Sequence, residues 1–162
     1  MITRLKGLGR RQLLLASGCV AAAAALPAWG AGAVLPAPQS LPDELAQALK
    51  IGQPLVVMVS LDGCPFCHVA RNNYLAPLRQ QEGVPVFQID WRSAAAVRDF
   101  DRGAVTHAQL VRAWKIKVAP TVLFFGPGGK EVAERLEGGY IEDFYGAYLT
   151  QRLQQARAAI KA

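Results

Sequence analysis

The hydrophobic pattern of this chain changes period along its length, and each change marks an element. Leu55 to Leu61 reads Leu-Val-Val-Met-Val-Ser-Leu, β-branched and apolar without alternation. A strand of that kind is buried on both faces, as the central strands of an α/β sheet are. From Cys64 to about Gln81 the period becomes helical, with Phe66, Val69, Ala70, Tyr74 and Leu78 near one face. Pro77 falls inside that stretch, so a kink or an early end near Tyr74 is expected. Before these two elements, Ser40 is placed to cap a short helix through Leu45 to Lys50 that Gly52 and Pro54 end.

Further on, Val84 to Trp91 predicts a second strand. Arg92 to Val105 mixes charges with Ala and reads as an irregular or helical connection. Thr106-His-Ala-Gln109 has the spacing of a capping box and opens a helix to about Trp114. Pro120 to Phe125, a Gly126-Pro-Gly-Gly129 turn and Lys130 to Leu136 form an antiparallel hairpin. A terminal helix over about Ile141 to Ile160 has Phe144, Ala147, Tyr148 and Leu153 as its expected core face. Right-handed crossovers make the first two strands parallel, and the hairpin adds an antiparallel edge. The predicted class is α/β, one central mixed sheet flanked by helices.

The N-terminus modifies the bulk figures. Arg4, Lys6, Arg10 and Arg11 precede an Ala-rich apolar stretch from Leu13 to Leu26, and Ala31-Gly32-Ala33 offers a small-x-small cleavage site after Ala33. Residues 1–33 are therefore expected to be an export signal, with 34–39 a flexible leader and 40–162 the domain. The twin arginine fits either the Sec or the twin-arginine route. Ala16-Ser-Gly-Cys19 loosely resembles a lipoprotein box, and Leu13 to Trp29 is nearly long enough for an uncleaved anchor; these are the two ways in which the chain would stay on a membrane.

Removing the signal takes four of 18 basic residues and none of the 12 acidic ones, so the formal charge of +6 drops to +2. No basic tract then argues for nucleic acid. Cys19 leaves with the signal, and Cys64 and Cys67 are the only cysteines that remain. One pair in an exported domain of this size points to a single redox site, not a stapled scaffold. Cys64 follows a buried strand and the Asp62-Gly63 turn, at the start of a helix. Unpaired N–H groups and the positive end of the helix favour its thiolate there, which makes it the attacking thiol. Pro65 suits the first helical turn. Cys67, nearly one turn on, is more shielded and is the resolving thiol. Phe66 is the candidate for an exposed apolar contact to substrate.

Two other chemistries use the same residues. Cys64-Pro-Phe-Cys67-His68 is formally the c-type haem attachment pattern, with His68 proximal and Met58 or His107 distal. Zinc held by Cys64, Cys67, His68 and His107 is the other, although adjacent Cys67 and His68 are awkward to aim at one tetrahedral ion.

CPFC between a buried strand and a helix, followed by VAPTVLFF, GPGGKEV and a Gly-preceded terminal helix, resembles the thioredoxin-like superfamily over nearly all of the chain after the signal. The likeness is nearest to exported members associated with sulfur oxidation and disulfide reduction. It implies a protein-disulfide reductase without cofactor or metal that acts on protein disulfides and draws electrons from a membrane donor in the periplasm; an oxidant or isomerase is the alternative. It also implies that Pro120 is cis, that Ala119 offers backbone hydrogen bonds to an extended substrate, and that Pro65, Phe66, Ala119, Pro120 and Thr121 line the substrate groove. Thr121 and Tyr140 have a core reading as well. The chain departs from the WCGPC thioredoxins in having Gly63 before the first cysteine and Met58 where those proteins bury an aspartate. The resemblance thus leaves Asp62, Glu82 or water to accept the Cys67 proton.

Overall fold

Alternation along one buried strand builds a core on each face of the sheet. In the computed structural model, which describes residues 34–139 and 142–161, β1 (Leu55–Ser60) is buried at all six positions. Val56 and Met58 point into one apolar cluster with Phe124, Leu149 and Leu153, whereas Leu55, Val57 and Val59 enter another with Leu41, Leu45, Leu123 and Phe125. Strand side chains alternate between faces, and both faces here are covered. That is why the sequence shows no polar alternation. Each fully buried Val or Leu contributes about 1.5–3 kcal/mol, so β1 anchors both cores.

β2 (Val86–Asp90) pairs parallel with β1, and β5 (Thr121–Gly126) pairs antiparallel on its other side, with Val57 between Phe87 and Leu123. The order is β2-β1-β5, and both β6 (Lys130–Glu131) and β7 (Leu136–Glu137) pair with β5. This is the expected mixed sheet. Its edge differs in detail, because the single strand foreseen over Lys130 to Leu136 is interrupted. Between the Phe125–Glu131 and Val122–Leu136 pairs the outer strand has more residues than β5, and the excess loops out where Arg135 reaches Glu131 and the Trp114 carbonyl. Gly126 lets Val132 come in, since a Cβ there would stand 2.4 Å from a Val132 methyl.

α1 (Leu41–Lys50) begins at Ser40 as foreseen, but the Ser40 hydroxyl makes no capping bond. Pro42 at the second helical position has no N–H to give it. The preceding segment, expected to be a flexible leader, is docked. Leu35 is buried among β1 and β2 residues, the Pro36 carbonyl accepts from the Gln88 N–H at 2.9 Å, and the Gln39 carbonyl accepts from the Arg98 N–H at 2.9 Å. Leu35 and these backbone bonds outweigh the proline-rich composition.

The active helix runs as α2 (Pro65–Val69), a π-helical stretch (Ala70–Leu75) and α3 (Ala76–Glu82), which ends at Gly83 with φ 68°. It does not stop near Tyr74. The wider π turn falls just ahead of Pro77, whose missing N–H and bulky ring disrupt an α-helical turn. The connection over 92–105, read from sequence as irregular or helical, is instead a small hairpin of β3 (Ala96–Arg98) and β4 (Ala104–Thr106), closed by the Gly103 N–H donating to the Asp99 carboxylate at 2.7 Å. α4 (His107–Ala113) follows with both capping-box bonds made between Thr106 and Gln109.

α5 (Glu142–Ala159) buries Tyr145, Leu149, Leu153 and Ala156. Only Leu153 of the expected face is in the core. Phe144 and Tyr148 are exposed by 57% and 43%, because the helix carries aromatic residues on two adjoining faces and the sheet takes the other one. Among the described residues no helix is long and apolar enough to cross a membrane. The expected export signal with its twin arginine and Cys19, and the proposed groove residue Tyr140, lie outside the described residues.

Candidate active site

Beyond Ser60 the chain turns sharply: the Cys64 N–H donates to the Leu61 carbonyl at 3.2 Å, and Gly63 takes φ +70°, a conformation that glycine adopts without strain. This turn delivers Cys64 to the N-cap of α2 with an extended backbone, and Pro65 occupies the first helical turn. The cap atom is the sulfur itself. Cys64 Sγ accepts from the Cys67 N–H at 3.2 Å, one of the orphan donors of the helix start. A negative sulfur would be stabilised by that bond and by the helix dipole.

Facing it is the loop before β5. Cys64 Sγ lies 3.8 Å from the Ala119 carbonyl oxygen, and the Ala119–Pro120 peptide bond is cis. Both cysteines are free thiols, Cys64 half-exposed and Cys67 buried. Burial pushes the Cys67 thiol up to about 11, Cys64 beside it acts in the same direction, and hydrogen bonds from the Leu61 backbone and the Ser60 hydroxyl oppose the rise only in part. The two sulfurs are thus unequal: one at the surface on a helix N-terminus, the other held as a thiol beneath it.

The remaining expected residues divide. Pro65 and Phe66 are exposed at the tip of the motif, and Phe66 lies over Gly139, where a Cβ would stand 3.2 Å from its own. Ala119 is half-buried and Pro120 buried, its carbonyl accepting from the Gly138 N–H at 2.7 Å. Phe66, Cys64, Ala119 and Gly139 therefore outline one surface. Thr121 is not on it, because it is fully buried and its hydroxyl donates to the Val118 carbonyl at 2.7 Å. Its side chain is structural.

The residues named for other roles also find places. Glu82 is at the far end of the active helix, paired with Arg157 at 3.8 Å, and so is removed from Cys67. Asp62 is exposed on the turn. Met58 is wholly buried in the same cluster as Cys67. His107 is buried, and its Nδ1 accepts from the Asp90 N–H at 3.1 Å. His68 meets Arg71 instead, whose guanidinium donates to its Nδ1 at 3.1 Å. Among the described residues no three of His, Cys, Asp and Glu gather as a metal would need.

Two contacts of Cys67 were not foreseen. Ser60, read only as part of a strand, ends that strand within hydrogen-bonding reach of the thiol. Tyr145 of α5 joins the same buried cluster, with its ring 5.0 Å from that of Tyr74 and its buried hydroxyl without a hydrogen-bond partner. Burial, then the proximity of Cys67, raises the Tyr145 phenol far above its usual range. Only the phase of α5 against the sheet could have revealed it.

The model of the thioredoxin-like domain matches residues 41–153. No curated protein matches the chain. Of the solved structures, the periplasmic thioredoxin SoxS from Paracoccus pantotrophus in its reduced form is 21% identical, with 64% of this chain and 99% of that one covered at a TM-score of 0.43. Thioredoxin from Fasciola hepatica is 16% identical over 75% of this chain and 99% of its own, at 0.49. The oxidoreductase DsbH is also 16% identical, over 80% and 88%, at 0.50, a likeness of fold. With the family match running from α1 into the last turns of α5, the chain belongs to the thioredoxin-like family.

Proposed function

We propose that the protein is an exported thiol:disulfide oxidoreductase that reduces protein disulfides through Cys64 and Cys67. The observation that carries this reading is the placement of Cys64 Sγ on the Cys67 N–H at 3.2 Å, across from the Ala119 carbonyl at 3.8 Å. An exposed sulfur at a helix start attacks a substrate disulfide, forming a Cys64–substrate disulfide and releasing one substrate thiolate, which takes up a proton. Cys67 then loses its proton and attacks Cys64 Sγ. The Cys64–Cys67 disulfide forms, the second substrate sulfur leaves as a thiol, and the protein has given up two electrons. An external dithiol, supplied from a membrane donor, returns them. Pro65, Phe66 and Ala119 are the surface along which the substrate lies, with the buried Pro120 shaping it from beneath.

Cys64→Ser is expected to abolish reduction of insulin disulfides by dithiothreitol; unchanged turnover would refute the role of Cys64. The reduction potential of the pair separates the directions. A value near about −270 mV marks a reductant, and one near about −120 mV an oxidant. Export rests on the pattern of residues 1–33, and a mature protein starting at Val34 in the periplasmic fraction is the expected result.

A further inference from the structure

Apart from Gly63 and its chain neighbours Asp62 and Cys64, no heavy atom lies within 4 Å of the place where a Cβ on Gly63 would stand. Beside this opening is a cavity of about 500 Å3, lined by Gly63 and His68, which bracket the cysteine motif, and by Arg71, Gln88, Trp91 and Arg92. Neither cysteine lines it, nor do Ala119 and Pro120, so it is distinct from the surface facing Ala119. It is nevertheless next to it, because Gly63 and Cys64 are consecutive and their Cα atoms are about 3.8 Å apart. A substrate side chain a few residues from the reactive cysteine reaches that far.

The lining is formally balanced, Arg71 and Arg92 against Asp62 and Asp90, but its charges are not equally placed. Arg71 is half-buried and held at both ends, one terminal nitrogen donating to Gln88 Oε1 at 2.9 Å and the other to His68 Nδ1 at 3.1 Å. The first is an amide oxygen and the second a ring nitrogen that accepts. Its hydrogen bonds are met, but its charge is not, and each terminal nitrogen keeps a second N–H. The ion pairs among the described residues join Arg98 to Asp43, Arg135 to Glu131, Arg152 to Glu134 and Arg157 to Glu82. Neither Arg71 nor Arg92 is in one. The acids on the lining, Asp62 and Asp90, are exposed, and Asp90 already accepts from the Gln88 amide at 2.6 Å. Water screens the exposed carboxylates and the exposed Arg92 more than the half-buried Arg71 guanidinium, which is left as the least screened charge on the lining. A guanidinium fork also matches a carboxylate in shape, and the half-buried Trp91 offers a surface for an aliphatic stem.

We propose that this cavity takes an acidic side chain lying within about three residues of the substrate's reactive cysteine, with Arg71 and Arg92 as its partners and Trp91 against its stem. The protein would thereby select disulfides with an acidic neighbour. Selection during turnover rests on the thiol-exchange reading above; binding does not.

The test uses three peptide disulfides that differ only in carrying Glu, Gln or Lys two residues from the cysteine. The kcat/KM for the Glu peptide is expected to exceed that for Gln by about fivefold, with Lys slower still and the gap narrowing in salt. In Arg71→Gln/Arg92→Gln the Glu-to-Gln ratio falls to one. Arg92→Gln alone, which removes an exposed side chain, lowers the ratio even where the double variant does not fold. The same peptides with Ser for Cys are titrated into isotope-labelled protein, where only the Glu peptide should shift the Gly63 amide and the Trp91 indole. Equal rates for the three peptides, a ratio unmoved by the variants, or identical shifts for Glu and Gln overturns the proposal. Glu-specific shifts without turnover of any peptide keep the cavity assignment and remove the exchange reading instead.

Discussion

In the free dithiol burial, helped by the adjacent Cys64, holds the Cys67 thiol up at about 11; the burial persists when Cys64 is tied to a substrate, so Cys67 meets the mixed disulfide as a thiol and must shed its proton as it attacks. With Met58 buried in apolar contact where a carboxylate would have accepted that proton, the thiolate fraction sets the rate. The lifetime of a trapped Cys64–substrate disulfide should therefore shorten about tenfold per pH unit between pH 7 and 9. A lifetime independent of pH in that range would show that a local base takes the proton. The neighbouring phenol gives a separate test. A buried hydroxyl without a partner costs about 1–3 kcal/mol, so Tyr145→Phe is expected to raise stability by about 1 kcal/mol in urea denaturation; a loss would show that the hydroxyl has a partner in solution. The placement of Cys64 at the helix start and the unequal exposure of Cys64 and Cys67 were legible in the sequence because they depend on local chain geometry. Tyr145 was not, because its position depends on which face of a two-faced helix meets the sheet, and Thr121 misled because a hydroxyl next to Pro120 fits a groove and a turn equally well.

At the scale of elements, local chemistry was readable wherever a few adjacent residues decide it. The Thr106–Gln109 box forms with both bonds, at 3.2 and 2.7 Å, and the long apolar run forms the strand it predicts. Removing the cap should be felt in the whole fold, because Leu110 and Val111 of the capped helix are buried under the sheet. Thr106→Ala is expected to cost about 1 kcal/mol, read as a lower urea midpoint with an unchanged slope. Where pairing over distance decides, the sequence was less informative. β3 and β4 are three residues each, Ala-Val-Arg and Ala-Val-Thr, too short for their β-branched residues to make the run that identifies a strand. The loop between β6 and β7 depends on Arg135 reaching the Trp114 carbonyl 21 residues earlier, which no local window contains. Composition likewise suggested a loose segment at 34–39, whereas the Pro36 and Gln39 carbonyls are taken up by Gln88 and Arg98.

The two cores on either side of β1 make the whole molecule sensitive to pH at both ends. His107 is buried beneath the sheet, and burial lowers its affinity for a proton below the usual 6.5, a pull that the Asp90 carboxylate offsets only in part. A group with a depressed folded value binds its proton more readily when unfolded, so stability is full above about 6.5 and falls as pH drops below it. Cys67 acts at the opposite end. Its folded value is raised from 9.0 to about 11, so over that window the unfolded chain has lost a proton that the folded chain keeps, and stability falls as pH rises, by at most about 1.4 kcal/mol per unit. The reduced protein should therefore show a stability plateau between roughly pH 7 and 9 with a loss on each side. Replacing either group removes only its own contribution. His107→Asn, whose side-chain oxygen can still accept from the Asp90 N–H, should flatten the acid limb, and Cys67→Ala the alkaline one between about pH 9 and 10, above which the Tyr145 phenol, also raised by burial, adds a loss of its own. Oxidation to the Cys64–Cys67 disulfide also removes the thiol from titration, so the stability difference between oxidised and reduced protein should widen from pH 9 to 11. Denaturant curves of the two forms across that range measure this directly; a constant difference would show that Cys67 is not held as a thiol in the fold.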